Sequence, residues 1–458
     1  MYKLLIYKWL NSYILNFTDF NFGYNGSENF ATGHQFGFFP AFSVAWNIAE
    51  EPVIKEKLKW MNMFKLRYSW GKVGNDNFGD VRFPYLYTIE GGKGGYQWAD
   101  YNYDKNYSGM AYSVLAANSV TWEIATKHDV GVDLSLFNDK FTATVDYFHE
   151  QRDGIYMERT HLPSMVGVTS NPKANVGSVL SRGFDGNFAY KQQVGEVNLT
   201  VRGNMTYSKN EILERDEAYN VYDYQMEKGH RVDQARGLIA LGLFKDYDDI
   251  RNSPKQEFGD VQPGDIKYKD VNGDGVVNDG DKVAIGATTK PNLIYGMGIS
   301  AQWKGLDVNV HFQGAGKSTF FLDGSSVYAF SSGTWGNILN DLVEDRWIDA
   351  TISGDPSTEN PDASYPRLSY GGNNNNYRAS TFWLRNGSYL RLKTLEIGYT
   401  LPKSVVNKLH FSNIRFFFIG TNLLTFSGFK LWDPELLISN GEKYPLARTF
   451  TLGLSVNI

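Results

Sequence analysis

Residues 129–148 read DVGVDLSLFNDKFTATVDYF, and the spacing within this stretch decides the fold class. Val130, Val132, Leu134 and Leu136 fall on one side of an extended chain, with Asp129, Gly131, Asp133 and Ser135 on the other. After the polar turn Asn138 to Lys140, Phe141, Ala143, Val145 and Tyr147 oppose Thr142, Thr144 and Asp146. A period of two on both sides of a short turn predicts a β-hairpin.

The pattern recurs along the chain. Val197, Leu199, Val201, Met205 and Tyr207 oppose Asn198, Thr200, Arg202, Asn204 and Thr206. Leu293, Tyr295, Met297, Ile299, Ala301 and Trp303 lead through Lys304 and Gly305 into Leu306, Val308, Val310 and Phe312, whose neighbours are Asp307, Asn309, His311 and Gln313. The final run sets Phe450, Leu452, Leu454, Val456 and Ile458 against Thr451, Gly453, Ser455 and Asn457. Extended to the whole chain, the reading gives about 12 strands. They fall near 13–25, 36–48, 62–73, 120–137, 140–158, 173–191, 195–209, 291–303, 305–314, 387–400, 411–423 and 446–458. Around Lys393 the apolar parity switches from Leu390 and Leu392 to Leu395, Ile397 and Tyr399, which predicts a β-bulge.

Of 458 residues, 42% are hydrophobic, with 30 Phe, 29 Tyr and 11 Trp, so there is ample apolar material. It is dispersed: no stretch approaches the roughly 18 consecutive apolar residues of a membrane-crossing helix. A closed β-barrel fits, because its strands alternate and show weak overall hydropathy. A net charge of −5 without a basic block argues against nucleic acid as a partner. With no cysteine, disulfide scaffolds and thiolate metal sites are excluded.

Connections alternate between short (138–140, 192–195, 304–305) and long (74–119, 210–290, 315–386), as in outer-membrane barrels with tight periplasmic turns and long extracellular loops. A soluble β-sandwich would also alternate. Two features favour the barrel. Asp133, Arg202, Asp307 and His311 stand in mid-strand, suiting a wet lumen, and Tyr147, Tyr207, Trp303 and Tyr399 stand near strand ends, like interfacial aromatic girdles.

The sharpest local motif is DVNGDGVVNDGD, residues 270–281. It places Asp270, Asn272 and Asp274 at positions 1, 3 and 5 of a calcium loop, with Gly275 at the sharp turn, the Val276 carbonyl at 7, Asn278 at 9 and Asp281 at 12. Asp replaces the usual Glu at position 12 and no amphipathic helices flank the loop, so the expectation is a structural calcium bracing a long loop. The competing reading is an Asx-rich turn satisfied by its own hydrogen bonds. GMGISA (296–301) and GAGKST (314–319) mimic nucleotide motifs. The first is followed by strand and the second lacks its leading glycine, which would fall on His311. No catalytic constellation is present, and the expectation is a protein that is not an enzyme.

Several segments together resemble the SusC/RagA-type TonB-dependent outer-membrane transporters: FNFGYNGSENFATGHQFGFFPAFSVAWNIAEEP, MFKLRYSWGKVGN, GDIKYKDVNGDGVVNDGDKVAIG, FWLRNGSYLRLKTLEIGYTLP and YPLARTFTLGLSVNI. The resemblance covers residues 20–458 and is to the C-terminal part of the barrel; residues 1–19 fit poorly. It implies an all-β fold, the C-terminal portion of a large antiparallel transmembrane barrel without the plug domain, in the outer membrane of a Gram-negative bacterium. It further implies import of an oligosaccharide or peptide, driven by a TonB complex, under a SusD-like surface lipoprotein. The family's signal sequence, small β-domain, TonB-contacting segment and plug are not readable here. A barrel of this class needs 22 strands, so the expectation is a truncated or frameshifted product, inactive in transport unless the missing part is supplied in trans. The alternative is a secreted, calcium-stabilised β-rich protein that binds or cleaves glycans.

Overall fold

The structure is a computed structural model that describes residues 16–79, 82–98, 105–160, 171–220, 222–331 and 338–458. Its main sheet has twelve strands, each next to its neighbours in sequence. They are β1 (Asn16–Gly26), β2 (Phe36–Asn47), β3 (Met61–Asn75), β4 (Glu123–Leu136), β5 (Phe141–Glu158) and β6 (Lys173–Val194). The remainder are β7 (Val197–Glu214), β8 (Leu293–Trp303), β9 (Leu306–Gly316), β10 (Tyr389–Thr400), β11 (Asn413–Ser427) and β12 (Thr449–Asn457). These match the twelve alternating segments, with ends displaced by a few residues.

The opening hairpin forms with Val130 opposite Tyr147 and Val132 opposite Val145, so both apolar sets share a face. The bulge at Lys393 is also present. On β9, His311 pairs Thr394 and Phe312 pairs Leu392, which leaves Lys393 without an opposite residue. Among the described residues β1 and β12 end the sheet, each with one neighbour. Among the described residues no helix is long and apolar enough to cross a membrane.

By contact the chain divides into two compact units. One holds the described residues up to Lys191 with Thr206–Asn220 and Met226–Val232; the other holds Gln192–Met205, the described part of Val221–Gln225, and Asp233–Ile458.

Burial separates a barrel wall from a sandwich. In a sandwich the apolar strand faces would be the core, yet here Val130 is 49% exposed, Tyr147 48%, Met297 47% and Leu452 84%. The largest fully buried side chains, among them Trp383, Tyr268, Phe30, Phe244 and Leu238, all lie outside the twelve strands. In the second unit the core is built by the long connections, where Leu238, Ile266, Tyr268, Phe320, Leu322 and Trp383 pack together. Exposed apolar strand faces beside a packed loop core are what a membrane-facing wall with folded outer loops requires.

The long connections carry short strands of their own. The first contains a hairpin, Thr88–Trp98 with Lys105–Val114. Its glycine-rich start, EGGKGG, carries no alternation to announce it. Further two-stranded ladders join 234–237 to 283–288 and 240–243 to 266–268.

Candidate functional site

The polar face of the strands carries the chemistry. On β3, β4 and β5, Arg67, Gly131 and Asp146 occupy one transverse row. The Arg67 guanidinium grips Asp133 in a two-point contact, Nε to Oδ2 at 2.8 Å and Nη2 to Oδ1 at 3.0 Å. The same Nη2 lies 2.8 Å from Asp146 Oδ1. It reaches β5 by passing over Gly131, where a Cβ would sit 2.6 Å from Arg67 and 2.1 Å from Asp146 Oδ1. A glycine inside a strand marks a close approach of this kind.

The second unit repeats the device. Arg415 on β11 contacts Asp307 on β9 with Nε to Oδ1 at 3.1 Å and Nη2 to Oδ2 at 2.6 Å, and Glu396 on β10 at 2.7 Å. Gly398 lies opposite Asp307, and a Cβ there would be 2.3 Å from the guanidinium. Arg202 on β7 passes over Gly298 of β8, with its Nη2 3.2 Å from Asn309 Oδ1 on β9. His311 pairs Gly298 from the far side, so Arg202 and His311 flank one glycine.

The predicted lining residues therefore fall into two kinds. Asp133 and Asp307 are committed to Arg67 and Arg415, while Arg202 meets an amide and, among the described residues, shows no carboxylate partner. Arg67, Asp146, Arg415 and Glu396 were not singled out from sequence; Gly131 and Gly398, glycines inside strands, are the signal that could have found them.

Toward the long connections the polar face of the first unit opens into a cavity of about 420 Å³. Its lining mixes Glu150, Arg152 and Glu214 with Ile155, Met157 and Ile212. Arg152 contacts Glu150 at 3.1 Å and Glu123 at 3.2 Å, and Lys127 contacts Glu150 at 3.1 Å. Trp98, Tyr101, Tyr103 and Trp335, aromatics of the long connections that by sequence could stack on sugar rings or pack against a partner, lie outside the described side chains.

In the 270–281 loop, Asp270 accepts from the N–H of Gly273 (2.7 Å) and Gly275 (2.9 Å), Asn272 from Asp274 (2.9 Å), and Asp274 from Val276 (2.8 Å). Asp281 is fully buried and accepts from Val271 at 2.7 Å and Asn278 at 2.8 Å; Asn278 accepts from Gly280 at 2.7 Å. Gly275 has φ of 86°, as a sharp turn demands. Among the described residues no three acidic or imidazole groups converge as the ligands of a metal would.

No protein-family model matches the chain. It is 25% identical to TonB-dependent receptor P3 of Formosa agariphila over 98% of its own length and 44% of the relative's. It is 24% identical to TonB-dependent receptor SusC of Bacteroides thetaiotaomicron over 99% of the chain and 43% of the relative. Among solved structures, the RagAB peptide transporter superposes with a TM-score of 0.73 at 20% identity, covering 97% of this chain and 46% of that one. The chain spans less than half the length of the curated relatives it matches. Its twelve strands have the fold of part of such a barrel.

Proposed function

We propose that this chain, which resembles the C-terminal part of the SusC/RagA-type TonB-dependent transporter barrel, forms part of an outer-membrane import channel in a Gram-negative bacterium. The observation that carries this reading is the two-faced strand: exposed apolar rows such as Val130 and Tyr147 on one side, and arginine-bridged polar rows such as Arg67, Asp133 and Asp146 on the other. Outward apolar rows suit outer-membrane lipid, and Asp133, Arg202, Asp307 and His311 line the lumen. The cargo is a bulky nutrient, an oligosaccharide or a peptide, moved with energy from a TonB complex and held under a SusD-like lipoprotein. Because β1 and β12 have, among the described residues, one neighbour each, transport needs further strands against both edges, since an unpaired edge in lipid costs several kcal/mol for each lost hydrogen bond. The same exposed rows disfavour the secreted glycan-active alternative, because they would drive aggregation in water. The chain acts as a conduit, not an enzyme.

We further propose that the loop 270–281 takes calcium as a brace, the ion replacing the loop's own hydrogen bonds to Asp270 and Asp274. The spacing of Asp270, Asn272, Asp274, Val276, Asn278 and Asp281 and the turn at Gly275 support it. Chelation with EGTA is expected to lower the unfolding temperature, and Asp270→Ala to remove that difference; an unchanged temperature would leave the loop as a self-satisfied turn.

The orientation is open to a direct test because the chain has no cysteine of its own. Tyr219→Cys, in a long connection, is expected to react with an impermeant maleimide on whole cells, and Lys140→Cys, in a tight turn, only after the outer membrane is opened. The reverse pattern would overturn the assignment.

A further inference from the structure

The outward face of the first unit changes character abruptly along its strands. One transverse row reads Tyr68, Val130, Tyr147 and Phe184 across β3 to β6. The Phe184 ring lies 5.6 Å from that of Tyr207 on β7, which continues the row. This is an aromatic girdle at the rim of the apolar band.

The next row toward the long connections reads Trp70, His128, His149 and Arg182, each opposite the next. Lys209, two residues beyond Tyr207, shares that face by alternation. The His128 and His149 rings are 6.0 Å apart, and the Tyr68 hydroxyl shares a 3.0 Å hydrogen bond with His128 Nδ1. Arg182 is exposed, and no carboxylate stands in the row. Among the described residues neither Arg182 nor Lys209 shows an ion pair, unlike Arg67, Arg152 and Arg415 on the polar face. One step further along this outward face stand Lys72 and Glu211. Asp153 lies beyond His149 and is held by Gln151 at 3.0 Å and Ser178 at 2.6 Å.

Cations on the lipid side of a strand are costly within the hydrocarbon and favourable at the headgroup level, where phosphate pairs with them. We infer that His128, His149, Arg182 and Lys209 form a lateral binding row for the phosphate groups of an outer-leaflet lipid, whose acyl chains lie along Val130, Val145 and Phe184. The argument rests on the membrane orientation proposed above. Charge complementarity and continuity with the apolar band select this occupant: a protein partner would find no paired acidic or hydrogen-bonding relief below the girdle, only exposed Val and Phe.

The test inserts the full chain into phosphatidylcholine vesicles containing lipid A, extracts it in mild detergent, and counts the lipid A retained by native mass spectrometry. A parallel set uses lipid A stripped of its phosphates. Wild type is expected to retain the phosphorylated form selectively. Arg182→Gln with Lys209→Gln is expected to retain about 25-fold less, at about fivefold for each cation, while Arg182→Lys behaves as wild type. Should the double variant fail to insert, Arg182→Gln against Arg182→Lys reads the charge alone. Equal retention by wild type and variant, equal retention of the dephosphorylated lipid, or displacement by inorganic phosphate alone would overturn the inference while leaving the barrel intact. Failure of the wild type to insert into any vesicle would overturn the barrel reading itself.

Discussion

Arg67 on β3 binds Asp146 on β5, two strands away, because the strand between them presents Gly131 in the same row. The pair spans the ladder like a tie across planks, with Asp133 held by the same guanidinium at 2.8 Å. Arg415 and Asp307 make the equivalent tie beside Gly398. Charge-assisted crossings of this geometry tie neighbouring strands together across the polar face.

Gly131→Ala tests the crossing. The new methyl would displace the guanidinium from Asp146, leaving a carboxylate unpaired, at a cost of about 1–3 kcal/mol. Thermal unfolding of the folded band is expected to shift down accordingly. Asp146→Asn made on top of Gly131→Ala is expected to cost little more, since the contact is already lost; additive losses would contradict the bridge.

Arg67→Met removes the shared partner of Asp133 and Asp146, and is expected to destabilise by more than either Asp133→Asn or Asp146→Asn alone. The ranking, read by heat-induced loss of the folded form, separates a shared clamp from two independent contacts. Asp133→Asn is expected to be the milder change because Arg67 keeps Asp146.

Asp265 is the anchor of the loop core. It is fully buried and accepts from Gln262 N–H at 2.8 Å, Asn373 at 3.0 Å and Asn376 at 2.9 Å, with Arg367 Nε at 2.8 Å. These contacts join residues 262–268 to 367–376. Asp265→Ala strands Arg367 and two amides, and is expected to cost about 3–5 kcal/mol locally. Hydrogen exchange would report it as lost protection around Ile266 and Tyr268, with the strands β8 to β12 still protected.

Most of the strand architecture was legible from residues alone. Alternation around Val130 and Tyr147 fixed the hairpin, the parity switch at Lys393 located the bulge, and the short turns at 138–140 and 304–305 set the up-and-down order. These are local signals. The hairpin Thr88–Trp98 with Lys105–Val114 escaped because its glycines erase alternation. The buried set of Leu238, Ile266, Tyr268 and Trp383 escaped because it is drawn from segments distant in sequence and rich in Gly and Asn. Arg67 and Arg415 escaped for a related reason: a contact that skips a strand depends on the register of two ladders at once, and Gly131 and Gly398 were its only local trace.

Two faces meeting different solvents would make adjacent residues on β5 respond oppositely to an added charge. Val145 is 49% exposed on the apolar face, and Thr144 faces Asp133 on the polar one. Insertion of the chain into vesicles, followed by protection from protease, is expected to be lost in Val145→Arg, with a penalty of about 2–4 kcal/mol, and retained in Thr144→Arg. Equal insertion of the two variants would contradict the account.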